Sequence, residues 1–192
     1  MVQDFGKGIR IVELKKNESL PKQRYHYVTS GYYDLVIHRE SEGWKAELVL
    51  RSLEKPWEKD FESQFFEEYV EEPKVFAAEL GGEPVGWIEL GYHKWNNRMR
   101  VWELLVKEEF RGRGIGRLLI ECAVRLAKER GARMLVLETQ SCNVPAIGFY
   151  LKLGFELVGF DSTAYSNDDA QKREVRLELG LRLLSILESD NR

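Results

Sequence analysis

Ile115, Leu118, Leu119, Cys122, Ala123, Leu126 and Ala127 recur at spacings of three and four, which predicts a helix with one apolar stripe, stopped by Gly131. Such a stripe must cover an apolar surface, and the chain supplies one on either side. Met99 to Val106 and Met134 to Thr139 both read as strands. A strand, glycine-rich loop, helix and strand in succession commit the chain to helices layered on a sheet. Elsewhere Gly8 to Leu14 reads as a strand, and Lys15 to Arg24 as a polar connection. Tyr25 to Arg39 and Trp44 to Leu50 read as antiparallel strands about a turn at Glu40-Ser41-Glu42-Gly43. Trp57 to Val70, with Phe61, Phe65, Phe66, Tyr69 and Val70, has the period of an amphipathic helix. Val75 to Leu80 and Val85 to Leu90 flank a turn at Gly81-Gly82-Glu83-Pro84, and Trp95-Asn96-Asn97 turns a second hairpin. Val144 to Leu153 reads as a helix ended by Gly154, then Phe155 to Phe160 and Lys172 to Leu181 as strands. The predicted class is α/β with mixed α+β character: a mixed sheet with helices on its faces.

A chain of 192 residues, 43% hydrophobic, fills one core, so a single domain over 1–192 is expected, its core about 8–181 and its tail 182–192. Met1 to Asp4 lacks the apolar stretch of a secretory signal, and no run reaches the roughly 20 apolar residues of a membrane helix. A cytoplasmic location and no membrane partner are expected. Net charge is -3 with both signs interspersed, which argues against a nucleic-acid partner. His26, His38 and His93 lie far apart, so no metal is expected. Cys122 and Cys142 form no CxxC pair and are expected to be reduced thiols.

Chemistry concentrates in Val106-Lys107-Glu108-Glu109-Phe110-Arg111-Gly112-Arg113-Gly114-Ile115-Gly116-Arg117. Glycines let backbone N–H groups approach an anion, a helix N-terminus adds its positive end, and Arg111, Arg113 and Arg117 add cations. Neither the Walker spacing nor GxGxxG fits, because Arg117 stands where each needs another residue.

Arg111-Gly112-Arg113-Gly114-Ile115-Gly116 resembles the acetyl-coenzyme A signature of the GNAT acyltransferases, Q/R-x-x-G-x-G/A. Downstream, Leu137 to Phe155 resembles the family's strand, asparagine and FY-x-K-x-GF segment. The resemblance implies the GNAT N-acyltransferase fold, a mostly antiparallel seven-stranded mixed sheet with helices on both faces, and acetyl-coenzyme A as co-substrate. It implies that Leu104, Leu105 and Val106 offer backbone groups to the pantetheine arm as a neighbouring strand would. Gly112 to Arg117 would wrap the pyrophosphate.

It further implies direct acetyl transfer to a primary amine, with Tyr150 as the acid that protonates the departing thiolate. Tyr150 also simply extends the apolar face of its helix. Asn143 resembles the residue whose side chain touches the coenzyme, and it is equally an N-cap before Val144-Pro145. Glu138, at a strand end, is placed as a general base, or else as a carboxylate paired with an arginine. Glu103 is the rival base, with His93 and Tyr92 weaker candidates.

Trp95-Asn96, Leu137 to Gln140 and Gly159-Phe160-Asp161 with Tyr165 look like the streptothricin acetyltransferase branch of the family, which implies a small-molecule amine acceptor. Acidic residues that would greet a cation are Glu58, Asp60, Glu62, Glu67, Glu68, Asp161, Asp168 and Asp169, with Asp161 the first to test. A protein N-terminal or lysine acceptor, and a non-catalytic acetyl-coenzyme A sensor, are the alternatives. A homodimer is expected by resemblance alone.

Overall fold

A computed structural model describes residues 2–4 in backbone, 8–16 and 22–183. Part of the polar connection, 17–21, and the tail from 184 lie outside the described residues. In chain order the elements are β1 (Val2–Asp4), β2 (Ile9–Leu14), β3 (Gln23–Glu40), β4 (Gly43–Ser63), β5 (Lys74–Leu80), β6 (Glu83–His93), β7 (Arg98–Val106), α1 (Ile115–Glu129), β8 (Met134–Gln140), α2 (Val144–Lys152), β9 (Glu156–Asp161), α3 (Asp169–Lys172) and β10 (Arg176–Arg182). They fall into two compact units. The first comprises the residues before Tyr25, Glu62–Leu137 and those from Leu181, and the second Tyr25–Phe61 and Glu138–Gly180.

In the first unit the strands run β1-β2-β5-β6-β7-β8. Every neighbouring pair is antiparallel except β7 and β8, which are parallel. α1 lies against β5, β6 and β7, and Leu119, Ala123 and Ala127 are fully buried beneath it, with Val75, Ile88 and Leu135 on the strands. Cys122 is a buried free thiol on the same stripe. The helix stops as its sequence predicts. Gly131 takes φ +68, and its N–H and that of Ala132 return to Lys128 and Ala127 carbonyls at 2.9 Å. The β5–β6 turn uses Gly81 and Gly82 at φ +63 and +90, the two positive angles of a type I′ hairpin. Asn97, at φ +54 in the β6–β7 turn, receives the Tyr92 hydroxyl at 2.7 Å and donates to the Gly131 carbonyl at 2.9 Å.

In the second unit β8, β10 and β9 are successive neighbours, and β3 pairs with β4 as a separate two-stranded ribbon. A small core of Ile147, Val175 and Leu177 receives Tyr33, Leu35 and Leu48 from that ribbon. α2 begins at Asn143, whose side chain accepts from the Ala146 N–H at 3.2 Å, with proline in the first turn. Cys142 is a buried free thiol.

The expected helix over Trp57 to Val70 is absent. β4 continues through Ser63, with Trp57 and Lys59 half-buried and Glu58 and Asp60 exposed between them. The Phe61 ring stacks on Tyr25 of β3 at 5.0 Å, with 5° between planes. Beyond Ser63 the chain turns rather than coils, because Phe66 and Glu72 take φ +63 and +47, angles that end any right-handed helix. The segment has an acceptable period for either element, and the Tyr25 partner decides between them. α3 is short and unforeseen, and the strand expected over Lys172 to Leu181 begins only at Arg176.

Candidate functional site

β7 is paired unequally along its length. Its ladder with β6 continues to Gly86↔Val106, whereas its parallel ladder with β8 runs from Arg98↔Met134 only to Val101↔Leu137. Leu104, Leu105 and Val106 therefore carry backbone groups on an edge that β8 has left. After Val106 the chain makes a 3-10 turn over Glu108–Phe110. The Arg111 Nε donates back to the Val106 carbonyl at 3.1 Å, and the Arg113 guanidinium lies 5.1 Å from the centre of the Phe110 ring. Gly112 and Gly114 take φ +76 and +86, and nothing lies within 4 Å of a Cβ built on either. Gly114 is the N-cap of α1 and provides no side-chain cap, while Ile115 is buried at 2% exposure and anchors the first turn. Arg111, Gly112, Arg113, Gly114 and Arg117 are exposed and Gly116 half-buried. Open amides at the positive end of a fifteen-residue helix, with arginines beside them, suit a phosphate-bearing ligand.

Between Val101 and Leu104 the strand is irregular. Glu89 pairs with Glu103 but Leu90 with Val101, so Trp102 is the extra residue of a bulge. Its indole lies over Gly91, where a Cβ would meet Nε1 at 2.6 Å, and its ring contacts Tyr69 and Arg100 at 5.2 and 4.6 Å. The bulge re-aims side chains beside the open edge. Glu89 is 1% exposed and its Oε1 accepts the Phe66 N–H at 2.7 Å. Burial pushes its carboxyl up to about 7 against the pull of that N–H, and Glu103 and Glu67 push the same way. Glu103 accepts the Ser63 hydroxyl at 2.6 Å. Sequence reasoning passes over Glu89, although it is the one charge inside the apolar run Val85 to Leu90. Ser63 and Trp102 carry no sequence signal, since their importance comes from the bulge. His93 edges onto Trp102 at 5.9 Å and Tyr92 is engaged with Asn97.

The second unit holds the remaining candidates. Tyr150 is buried at 8% exposure on α2, its ring against Phe149 and Phe155 at 5.1 and 5.5 Å. Asn143 uses its side chain as the α2 cap. Glu138 Oε2 lies 2.8 Å from Arg176 Nε, both side chains about one-third exposed. Nearby in sequence, Gln140 Oε1 accepts the Tyr27 hydroxyl at 3.0 Å, and that hydroxyl is 3.5 Å from the Cys142 sulfur. Burial, then the Cys142 thiol, push the Tyr27 phenol well above its usual range. Asp161 is occupied by the Thr163 N–H and hydroxyl at 2.9 and 3.1 Å. Asp168 pairs with Lys172 at 3.0 Å, and Asp169 is buried under Tyr165 and Ser166.

The profile of the acetyltransferase (GNAT) family matches residues 44–155. The chain belongs to the GNAT acetyltransferase family. Among GNAT relatives, a streptothricin acetyltransferase of Streptomyces lavendulae is 40% identical over 89 residues, 46% of this chain and 47% of that protein. One from Escherichia coli is 34% identical over 140 residues, 73% and 76% of the two chains. The chain thus matches about half the length of the first and three quarters of the second. A Bacillus anthracis protein assigned as a streptothricin acetyltransferase, solved with acetyl coenzyme A, aligns with TM-score 0.72 at 27% identity, covering 91% of this chain and 97% of that one. The fold is the GNAT fold with a mixed, mostly antiparallel sheet, here of eight strands rather than the seven expected.

Proposed function

We propose that the protein is an acetyl-coenzyme A-dependent N-acetyltransferase whose acceptor is a primary amine on a small molecule of the streptothricin class. The observation that carries this reading is the β7 edge left by β8 beside the uncapped α1 N-terminus. Leu104 to Val106 would hold pantetheine amides as a strand holds its neighbour, and Gly112 to Arg117 the diphosphate. The open space above Gly112 and Gly114 supports the second of these placements. Bound there, the coenzyme supplies an activated acetyl carbonyl and a thiolate leaving group.

The protein's own residues then have two proton tasks. An acceptor that arrives as an ammonium must lose a proton before its nitrogen attacks, and the thiolate must gain one as the carbon–sulfur bond breaks. Tyr150 is assigned the second task by its place in the FY-x-K-x-GF segment. For the first task Glu138 and Glu103 compete. Glu138 is paired with the Arg176 guanidinium. Glu103 accepts from the neutral Ser63 hydroxyl and has a protonatable carboxyl opposite it. The Glu103→Gln and Glu138→Gln variants separate the two as base.

Thiol release from acetyl-coenzyme A against streptothricin, aminoglycosides, polyamines and N-terminal peptides tests the assignment. Streptothricin is expected to give the highest kcat/KM. A higher value with the peptides would replace the small-molecule reading, and no heat of coenzyme binding in calorimetry of the folded protein would remove the whole assignment.

A further inference from the structure

Where α1 ends, the first unit encloses a cavity of about 210 Å3. Leu90 of β6, Met99 of β7, Leu126 of α1 and Pro73 give it an apolar floor, with Leu90 and Met99 buried. An apolar cavity of about 150 Å3 accepts a benzene ring, so a small apolar body has room here. The rest of the lining is Glu72, Lys74, Tyr92 and Arg130. Glu72 divides its carboxylate between two cations, Oε1 to Lys94 and Oε2 to Arg130, and Lys74 pairs with Glu13 at 2.9 Å. Among these groups cations exceed carboxylates by one. The negative end of α1 does not call for the excess, because Lys128 already stands in its last turn. The Arg130 guanidinium lies 5.0 Å from the centre of the Tyr92 ring, whose hydroxyl is held by Asn97 at 2.7 Å. A guanidinium stacked in place and sharing its only carboxylate with a lysine is suited to a second carboxylate, which its fork can take through two N–H groups. The backbone beside it is strained. Glu72 takes φ +47, a left-handed angle, although it precedes Pro73, where a residue is ordinarily extended. The Tyr92 N–H, bonded to the Glu71 carbonyl at 3.0 Å, holds the segment there. Strain of this kind gathers at ligand clamps.

We propose that this cavity binds a small carboxylate with an apolar body, the body resting on Leu90, Met99 and Leu126 and the carboxylate taking the Arg130 guanidinium in competition with Glu72. On arrival the ligand leaves Glu72 to Lys94, so the exchange swaps one ion pair for another and strands no charge. The site is distinct from the glycine loop, because Gly114 and Arg130 cap opposite ends of α1, roughly 24 Å apart at the rise of an α-helix. It therefore stands whatever acceptor the enzyme uses. A cationic ligand is disfavoured, since the carboxylate that would receive it is already met at both oxygens.

Benzoate, benzyl alcohol and benzylamine share a ring and differ in charge, and NMR of the full chain with 13C-methyl methionine reads their binding at Met99. Benzoate should shift the Met99 signal saturably, and benzyl alcohol and benzylamine should each bind at least about tenfold more weakly. R130Q, an exposed change that leaves the floor intact, should weaken benzoate at least about tenfold. E72Q should tighten it about threefold or more, because it frees the guanidinium from its competitor. The signal of Met134, buried on β8, shows that each variant is folded. A Met99 signal that saturates with none of the three, that responds alike to benzoate and benzyl alcohol, or that responds most to benzylamine overturns the proposal. So does an E72Q variant that binds benzoate no better than the wild type, or an R130Q variant that binds it equally well.

Discussion

Asp169 in the second unit and Glu89 in the first are equally hidden from water, each at 1% exposure, yet their proton affinities move in opposite directions. Burial alone would raise both. For Asp169 it is outweighed by donors: Ser166 hydroxyl at 2.6 Å on one oxygen, the Tyr165 N–H at 2.8 Å on the other, and the Ser166 backbone N–H, so its carboxyl falls below the usual range. Glu89 is offered the Phe66 N–H and two neighbouring carboxylates, and it rises. In the second unit Glu138, Glu174 and Asp168 each meet a cation, Arg176, Lys59 and Lys172, and in the first unit Glu79, Glu13 and Glu72 meet Arg10, Lys74 and Lys94. Donors and neighbouring charge, not depth, separate the two buried carboxylates, Asp169 and Glu89.

The largest effect that would break this division is kinetic. Glu103→Gln should lower kcat by about 100-fold or more, the ordinary size of a lost general base. Glu138→Gln should lower kcat less than about tenfold and act mainly on the acceptor's KM. Steady-state thiol release with one amine checks both. The reverse ranking would return the base to Glu138.

Next in size is a stability difference. A carboxyl whose folded pKa is about 7, against 4.5 as its ordinary value, binds its proton more tightly folded than unfolded. Its contribution is complete below about 4.5 and is lost as the pH rises through 7. Glu89→Gln has no proton to lose. Its stability relative to the wild type should therefore climb by up to about 3 kcal/mol between pH 4.5 and 8, at about 1.4 kcal/mol for each pH unit that separates the folded and unfolded values. Urea unfolding at several pH values reads this, and a flat difference would place Glu89 among ordinary carboxylates.

Tyr150→Phe should follow, with kcat reduced at least about tenfold and coenzyme affinity unchanged in calorimetry. The Tyr150 ring is clasped by Phe149 and Phe155, so loss of the hydroxyl keeps the packing and isolates the proton. Unchanged turnover would leave the second unit with no group in proton chemistry, making the contrast with the first complete.

What could be read from sequence follows the same line between local and cross-strand causes. α1, its Gly131 stop, the Gly81-Gly82 hairpin and the glycine loop each depend on residues adjacent in the chain, and each stands where its spacing placed it. Trp57 to Val70 did not, because its apolar residues satisfy both periods and the deciding stack joins Phe61 to Tyr25, far away in sequence. The glycine loop and the FY-x-K-x-GF segment were legible as strings. Glu89 was not, since its meaning arises only when Trp102 is left over in the register and Glu103 comes opposite. Glu138 was visible as a strand-end acid, but the Arg176 beside it belongs to β10 and could not be assigned from spacing.

The smallest expected effect would make one region imitate the other. Ser166→Ala removes one donor from Asp169 and leaves the Tyr165 N–H in place, so stability at neutral pH should fall by less than in any change above, the modest net worth of one hydrogen bond. Because the Asp169 pKa is depressed on folding, its contribution is present above the ordinary carboxylate range and lost as the pH falls through the folded value. With a donor gone, that loss should begin at higher pH, so the urea midpoints of variant and wild type should draw together below about pH 3. A variant that stays equally weaker down to about pH 2 would mean that neither carboxylate bonded by Ser166, Asp169 or Asp168, carries its effect. The number of donors around Asp169 would then no longer explain why it and Glu89 differ.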